Sequence, residues 1–178
     1  MSSILAEAIR SKVQQVCLIE SVFGQSRLAT IEDAPTILVL LSDERVSGDV
    51  YTLPRPFSLE SINTWIKDHE AQARQGEGLL MIVEDEHGKI VTLTDFQFWP
   101  QYAACEFGGV IAAHLQSRHI GTKGIKELCD WVFAELSVQL LVMTASAENI
   151  RTHKLLGGLG FKPMDEMDSV RPDGTVRR

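Results

Sequence analysis

The sequence predicts a mixed α/β fold, with an antiparallel meander of strands followed by a βαβαβ unit and helices on both faces of the sheet. Three strand-like segments occur between residues 79 and 111, a helical period begins at Gly124, and an apolar run covers residues 138–143. The chain has 178 residues, of which 44% are hydrophobic and 23% charged. This length and composition suit one globular core and exclude a disordered chain.

The first part of the chain is predicted to be mainly helical. Apolar residues at helical spacing indicate an amphipathic helix over residues 4–17, followed by a short extended segment over residues 22–28. Thr30, with an acidic residue three positions later, predicts the start of a second helix. An irregular loop over residues 42–56 leads to Ser58, which predicts the start of a third helix.

The rest of the chain alternates between strand and helix patterns. The expected elements are strands at residues 79–83, 90–98 and 104–111, a helix from Gly124, a buried strand at 138–143, a helix at 150–158 and a last strand from Phe161. Asp173-Gly174 predicts a final turn, and the few residues after it fit a short hairpin or one completed by a second subunit of a homodimer. We expect residues 1–20 to be a helical extension and residues 21–178 to be the main domain.

Charge and residue usage exclude several classes of protein. The net charge of −7 argues against nucleic acid as a partner and suits a cationic one. No apolar stretch reaches membrane length and no secretory signal pattern begins the chain, so we expect a cytoplasmic protein without a membrane partner. Cys17, Cys105 and Cys129 lie far apart and are expected to be buried thiols. His114 and His119 lack the i,i+4 spacing of a helical metal pair, and we expect no metal site.

Two segments carry the chemical signal. The segment 106–124 is a strand, a glycine-containing loop and a helix start, where free N–H groups and the helix dipole suit a pyrophosphate. Asn149 follows the apolar strand and should emerge beside this loop. We therefore expect one cleft between two parallel strands, although Gly121 and Gly124 alone are also compatible with a simple chain turn.

These segments resemble motifs of the GNAT superfamily of acyl-CoA-dependent N-acetyltransferases, especially the branch that includes the ribosomal-protein N-terminal acetyltransferases. The resemblance runs from Val22 to the C-terminus and rests on three motifs: Arg27-x-x-Thr30-x-Glu-Asp33-Ala, Arg118-x-x-Gly121-x-Lys123, and Asn149-x-x-Thr152 through Gly160-Phe161. Lys123 departs from the family pattern, which has Gly or Ala at that position.

The resemblance implies acetyl-CoA as cosubstrate and direct transfer of its acetyl group to a primary amine, which is a protein N-terminus or a small cationic amine. The residues that it implies for cosubstrate binding are Val110, Ile111, Arg118, His119, Ile120, Gly121, Thr122, Lys123, Gly124 and Asn149. A non-catalytic acyl-CoA-binding module for regulation or assembly is the alternative function.

Three residues are candidates for catalysis. Glu106, on a central strand, is the candidate base that takes a proton from the amine, and its alternative is a carboxylate in a wet cleft or a partner of Arg118. Asn149 is expected to hold the pantetheine amide or a water, to cap the following helix, or both. Leu156 stands where many relatives have a tyrosine acid, so the resemblance assigns the proton donor to Thr152, whose alternative is ordinary first-turn chemistry.

Overall fold

The computed structural model describes residues 3–48, 50, 52–116, 120–166, 168–170 and 176–177. The helices and strands in these ranges are α1 Ser3–Gln14, β1 Leu18–Ser21, β2 Gly24–Leu28, α2 Ala34–Leu41, α3 Glu44–Ser47, α4 Leu59–Gln75, β3 Gly78–Glu84, β4 Ile90–Trp99, β5 Ala104–Ile111, α5 Ile120–Glu135, β6 Leu140–Val142, α6 Ile150–Gly158, β7 Ser169–Val170 and β8 Val176–Arg177. Short 3-10 helices lie at Ile31–Asp33, Pro100–Tyr102 and Ala113–Leu115.

Six strands form one mixed sheet in the order β1-β2-β3-β4-β5-β6. Neighbouring strands from β1 to β5 are antiparallel, and β6 pairs parallel to β5. The β5–β6 connection contains α5, as a parallel crossover requires. This sheet confirms the mixed α/β class and the antiparallel meander.

Two hydrophobic clusters cover the two faces of the sheet. Leu80 and Ile82 of β3 pack in one cluster with α2 and α4, whereas Leu79 and Met81 pack in the other with α1 and α5. The alternation follows from the two-residue period of a strand, and because both faces are buried β3 is a continuous apolar run. Helices therefore lie on both faces, as predicted. Among the described helices, none is long and apolar enough to cross a membrane.

The predicted last strand from Phe161 is wrong. Residues 161–166 contain no strand, and β7 begins only at Ser169 and pairs with β8 in a separate two-stranded sheet. Pro163 lacks the N–H that a ladder needs, and although Phe161 packs partly buried against the core, Met164 is 94% exposed. Within the part of the chain that the structure describes, the second half of the predicted βαβαβ unit does not extend the main sheet, and the predicted Asp173-Gly174 turn lies outside the described residues.

Other boundaries differ from the sequence-based expectations. The first helix ends at Gln14, and β1 and β2 form a hairpin where one extended segment was expected. The loop over residues 42–56 contains α3, and α5 begins at Ile120, ahead of Gly124. The expected buried strand β6 is a sheet edge with Leu140 and Val142 exposed, and Cys17 is exposed as well.

The N-terminal helix packs against the sheet through Ile9 and Val13, both fully buried with Ile19 of β1. Arg10 also donates to the carboxylate of Glu77, the residue directly before β3. The division of the chain at residue 20 stays a prediction.

Thr30 caps the 3-10 helix Ile31–Asp33 and α2 follows only from Ala34, so the prediction of a helix start at Thr30 is right but the α-helix begins later than expected. This start includes a hydrogen-bonded clamp. Arg27 donates from both terminal nitrogens to the Asp33 carboxylate at 2.8 Å, and Asp33 also accepts from the N–H of Thr30 at 2.7 Å. This clamp joins β2 to the chain that leads into α2. Ser58 likewise forms a capping box with Ser61 at the start of α4, as predicted.

Candidate functional site

A cleft opens where β5 and β6 diverge. The two strands pair only over Ala104–Glu106 and Leu140–Val142, after which β5 continues to Ile111 and β6 ends. Among the described residues, no strand pairs with this second half of β5 on the β6 side. The cleft has a volume of about 260 Å³, and backbone groups of β5 from Glu106 to Ile111 lie along it.

Glu106 lines the cleft at the point of divergence. Its carboxylate Oε1 accepts a hydrogen bond of 2.6 Å from the hydroxyl of Thr144, two residues beyond the end of β6. The side chain is half-buried, so solvent and a substrate can both reach it. Sequence reasoning did not identify Thr144, although the parallel register of Glu106 with Val142 brings the end of β6 to this carboxylate.

The helix α6 and its N-cap contribute three residues to the cleft, which are Asn149, Thr152 and Leu156. Asn149 caps the helix, since its Oδ1 accepts from the N–H of Thr152 at 3.0 Å. This is the cap that the sequence offered as one reading of Asn149. A role for its amide nitrogen toward a cosubstrate stays a prediction, as does the role of the Thr152 hydroxyl.

The first two turns of α5 line the cleft with one face. Gly121 and Gly124 belong to that face, together with Ile125 and Leu128, at the i, i+3, i+4 and i+7 positions of a helix. A Cβ at Gly124 would collide with the ring of Phe23, so this glycine lets the helix pack closely on the β1–β2 turn.

The other residues assigned to the loop lie elsewhere or are not described. Ile120, Thr122 and Lys123 are not among the residues that line the cleft, because the helix directs them to its other faces. Lys123 pairs with Glu127 at 3.8 Å on the exposed side of α5. Arg118 and His119 lie outside the described residues. Val110 and Ile111 both line the cleft at the end of β5.

A second polar group in the cleft was missed by sequence reasoning. Asp95 and Gln97 of β4 line the cleft beside Glu106. Asp95 Oδ1 lies 2.9 Å from Nε2 of His69, a buried residue of α4. His69 lies on the buried face of α4 with Ile62 and Ile66, and the signal available in the sequence was that a buried histidine requires a polar partner.

Two further predictions concern reactive side chains. Cys105 is fully buried, and burial, followed by the nearby charge of Glu106, raises the pKa of its thiol, so it is a packing residue and not a nucleophile. Within the described part of the chain, no three His, Cys, Asp or Glu side chains form a group that could hold a metal ion.

Comparison with known proteins gives one family and a set of similar folds. The family model described as the acetyltransferase (GNAT) domain matches residues 27–162. No curated protein matches the chain. The fold is similar to ribosomal-protein-S5-alanine acetyltransferase from Vibrio fischeri, with a TM-score of 0.69 and 19% identity over 87% of each chain.

Two further solved structures show the same similarity of fold. Ribosomal-protein-alanine N-acetyltransferase from Brucella melitensis has a TM-score of 0.63 and 20% identity, covering 85% of this chain and 93% of that one. A ribosomal L7/L12 alpha-N-protein acetyltransferase in complex with coenzyme A has a TM-score of 0.68 and 12% identity over 85% of each chain. Because the family model covers most of the sequence, the chain belongs to the GNAT family of acetyltransferases, as its motifs predict.

Proposed function

We propose that this protein transfers the acetyl group of acetyl-CoA directly to a primary amine in a ternary complex, with Glu106 as the base. The observation that carries the proposal is the position of Glu106. Its carboxylate lies in the cleft where β5 and β6 diverge, with one hydroxyl partner on Thr144 and the rest of the group open to the cleft.

The cleft has the features that acetyl-CoA needs. The second half of β5 offers backbone groups to which an extended pantetheine chain can hydrogen-bond as an added strand. The start of a helix directs its N–H groups and the positive end of its dipole toward an anion, α5 has no acidic residue in its first turn, and Gly121 allows close approach of a phosphate there. When bound, acetyl-CoA supplies a thioester whose carbonyl carbon is attacked by the amine.

The side chains around the cleft have distinct roles in this proposal. An amine nucleophile with a pKa of about 8–10 is mostly protonated at neutral pH, and Glu106 takes its proton, directly or through water. A backbone N–H near Val110 or Ile111 stabilises the negative charge that develops on the carbonyl oxygen. The Thr152 hydroxyl gives a proton to the departing sulfur, because Leu156, which also lines the cleft, has no acidic group.

We propose a protein N-terminus as the acceptor. Similarity of fold to enzymes named for ribosomal-protein alanine supports this class, and the net charge of −7 suits a cationic partner. Val50 and Thr52, from the loop between α3 and α4, line the cleft and are positioned to contact the acceptor. A cytoplasmic location and a homodimer stay predictions.

The base is tested by Glu106→Gln. The amide keeps the size of the side chain and cannot take the proton, so kcat should fall by roughly 10²- to 10⁴-fold while the Kd for acetyl-CoA stays unchanged. Glu148→Gln is the matched control, since Glu148 is exposed and does not line the cleft. Steady-state kinetics with an alanyl peptide, together with calorimetry for acetyl-CoA, gives both quantities. An unchanged kcat for Glu106→Gln would remove Glu106 from the mechanism.

A further inference from the structure

Four residues of β4 and β5 form one patch of the sheet beside the cleft. In the antiparallel register Asp95 is opposite Gly108, and Gln97 is opposite Glu106. Opposite residues share a face, and this face also carries Leu93 and packs against α2 and α4. The Asp95 and Glu106 carboxylates are therefore diagonal neighbours, whose backbones lie about 7–8 Å apart in an ordinary sheet.

Asp95 is held firmly from one side. His69 Nε2 lies 2.9 Å from Asp95 Oδ1, and the Gln97 amide donates to the same oxygen at 3.0 Å. His69 Nδ1 lies 3.0 Å from the carbonyl oxygen of Trp65, so each ring nitrogen has an oxygen acceptor and an imidazolium can donate to both, with the Gln97 amide nitrogen also 3.1 Å from Nε2. Burial lowers the pKa of His69, but Asp95, the Trp65 carbonyl and the charge of Asp68 together raise it above its ordinary value.

The other oxygen of Asp95 is available to the cleft. Both hydrogen bonds go to Oδ1, and no described residue donates to Oδ2, although the side chain is only 20% exposed. The facing residue on β5, Gly108, has no side chain, and a Cβ built there meets nothing within 4 Å. The space beside Asp95 is thus open toward Glu106.

We propose that Asp95 is the second carboxylate of the acceptor site and binds the ammonium group of the incoming amine, with His69 and Gln97 as its positioning residues. This inference rests on the proposed function and names a specificity-determining residue for it. The ammonium donates to Asp95 Oδ2 and is thereby held beside Glu106, which takes one of its protons before attack. Gly108 provides the room for this group.

The arrangement has a physical consequence for substrate choice. Asp95 with its imidazolium partner is nearly neutral as a pair, so Asp95 contributes a directed acceptor oxygen more than a long-range field. Glu106 supplies the net negative charge. Such a site selects a primary ammonium with several N–H donors and disfavours an N-acetylated terminus, which has lost its charge.

The kinetic test compares Asp95→Asn with Asp130→Asn, an exposed control on α5 that lies outside the cleft. With an alanyl peptide amide as acceptor, Asp95→Asn should raise the KM for the peptide by about 10- to 100-fold and leave the Kd for acetyl-CoA unchanged. His69→Leu should raise the same KM, and His69→Gln, which keeps a donor toward Oδ1, should restore most of it. A KM that is unchanged in Asp95→Asn would overturn the proposal.

A second measurement does not depend on turnover. In the wild-type protein saturated with CoA, the imidazole NMR signals of His69 should shift when the alanyl peptide amide or 1,4-diaminobutane is added, because an ammonium on Oδ2 weakens the Nε2–H to Oδ1 hydrogen bond. The N-acetylated peptide should leave them in place. His69 signals that do not respond to either amine would overturn this inference. Failure of the proposed function is seen separately, as absence of acetyl-CoA binding or as full activity of Glu106→Gln.

Discussion

Asp33 and Glu106 are two acidic residues that the sequence analysis singles out, and their surroundings differ. The Asp33 carboxylate accepts from two nitrogens of Arg27 and from the N–H and hydroxyl of Thr30, with its side chain 10% exposed. Among the described residues, Glu106 accepts one hydrogen bond, from Thr144, and its side chain lines a cleft.

The difference separates structural from functional carboxylates. A carboxylate whose lone pairs are all used inside the protein stabilises the fold and has nothing left for a substrate. A carboxylate with one internal partner keeps acceptor positions free for an amine or a water. The motif around Arg27 is therefore a clamp between β2 and α2, whereas Glu106 and Asp95 retain free oxygens in the cleft.

The largest expected effect on stability comes from the clamp. Asp33→Ala leaves Arg27 with Glu84 and the carbonyl of Leu28 and removes the acceptor of the Thr30 N–H, and it should lower the free energy of unfolding by about 2–3 kcal/mol. Urea unfolding at pH 7 measures it. The activity per folded molecule should stay at the wild-type level.

The cleft carboxylate should behave in the opposite way. Glu106→Gln is expected to change the free energy of unfolding by less than about 0.5 kcal/mol, because the half-buried side chain keeps its size and an oxygen that accepts from Thr144. If Asp33→Ala left stability intact, or Glu106→Gln cost as much as the clamp variant, the division between the two carboxylates would be wrong.

A smaller effect concerns pH. Because the pKa of His69 is raised in the folded protein, its imidazolium stabilises the fold in full below about pH 6.5, and this contribution is lost as the pH rises through the folded pKa. The Tm difference between wild type and His69→Gln should therefore shrink as pH increases from 6 upward. The Gln97 amide, 3.1 Å from Nε2 of His69, can donate to the neutral ring and so limits the loss of stability. A difference that stays constant over this range would contradict the imidazolium assignment.

The contribution of Asp33 to stability depends on pH in the opposite direction. Burial raises the pKa of Asp33, but the hydrogen bonds and charge of Arg27 and Thr30 outweigh it and lower the pKa below its ordinary value. Its contribution to stability is present above about pH 4 and is lost as the pH falls through the folded pKa. The contribution of His69 to stability is therefore lost at high pH, and that of Asp33 is lost at low pH.

Much of the fold was predictable because local patterns agree with the tertiary structure. The bounds of β5 and α6 coincide with the predicted segments, and the capping residues Thr30 and Ser58 begin their helices as expected. The predictions failed at positions whose structure depends on the segments that pack against them. An apolar run such as that of β6 looks buried in sequence, yet whether a strand is central or an edge depends on its neighbours.

The site was predictable where a motif gave the position along the chain. Glu106, Asn149 and Thr152 line the cleft together, from segments about 40 residues apart. Asp95 and His69 were missed because no local motif marks them. The contact between Asp95 and His69 depends on how α4 packs over β4. The register of the sheet determines this packing, and the spacing of residues along the sequence does not.

We infer that the divergence of β5 and β6 makes an acetyl-CoA site with the start of α5 as its anion-binding end. Calorimetric titration with acetyl-CoA, and with NAD as a control, tests it on the wild type and on Gly121→Trp. A Cβ at Gly121 lies at ordinary contact distance from Ile111, so the fold accepts a side chain there that fills the cleft. Thr122→Trp, on the same turn and outside the cleft, is the matched control.

We expect micromolar binding of acetyl-CoA by the wild type and by Thr122→Trp, at least tenfold weaker binding by Gly121→Trp (roughly 1.4 kcal/mol), and no binding of NAD by any of the three. Equal affinity of Gly121→Trp and the wild type for acetyl-CoA, or no binding by the wild type, would contradict it.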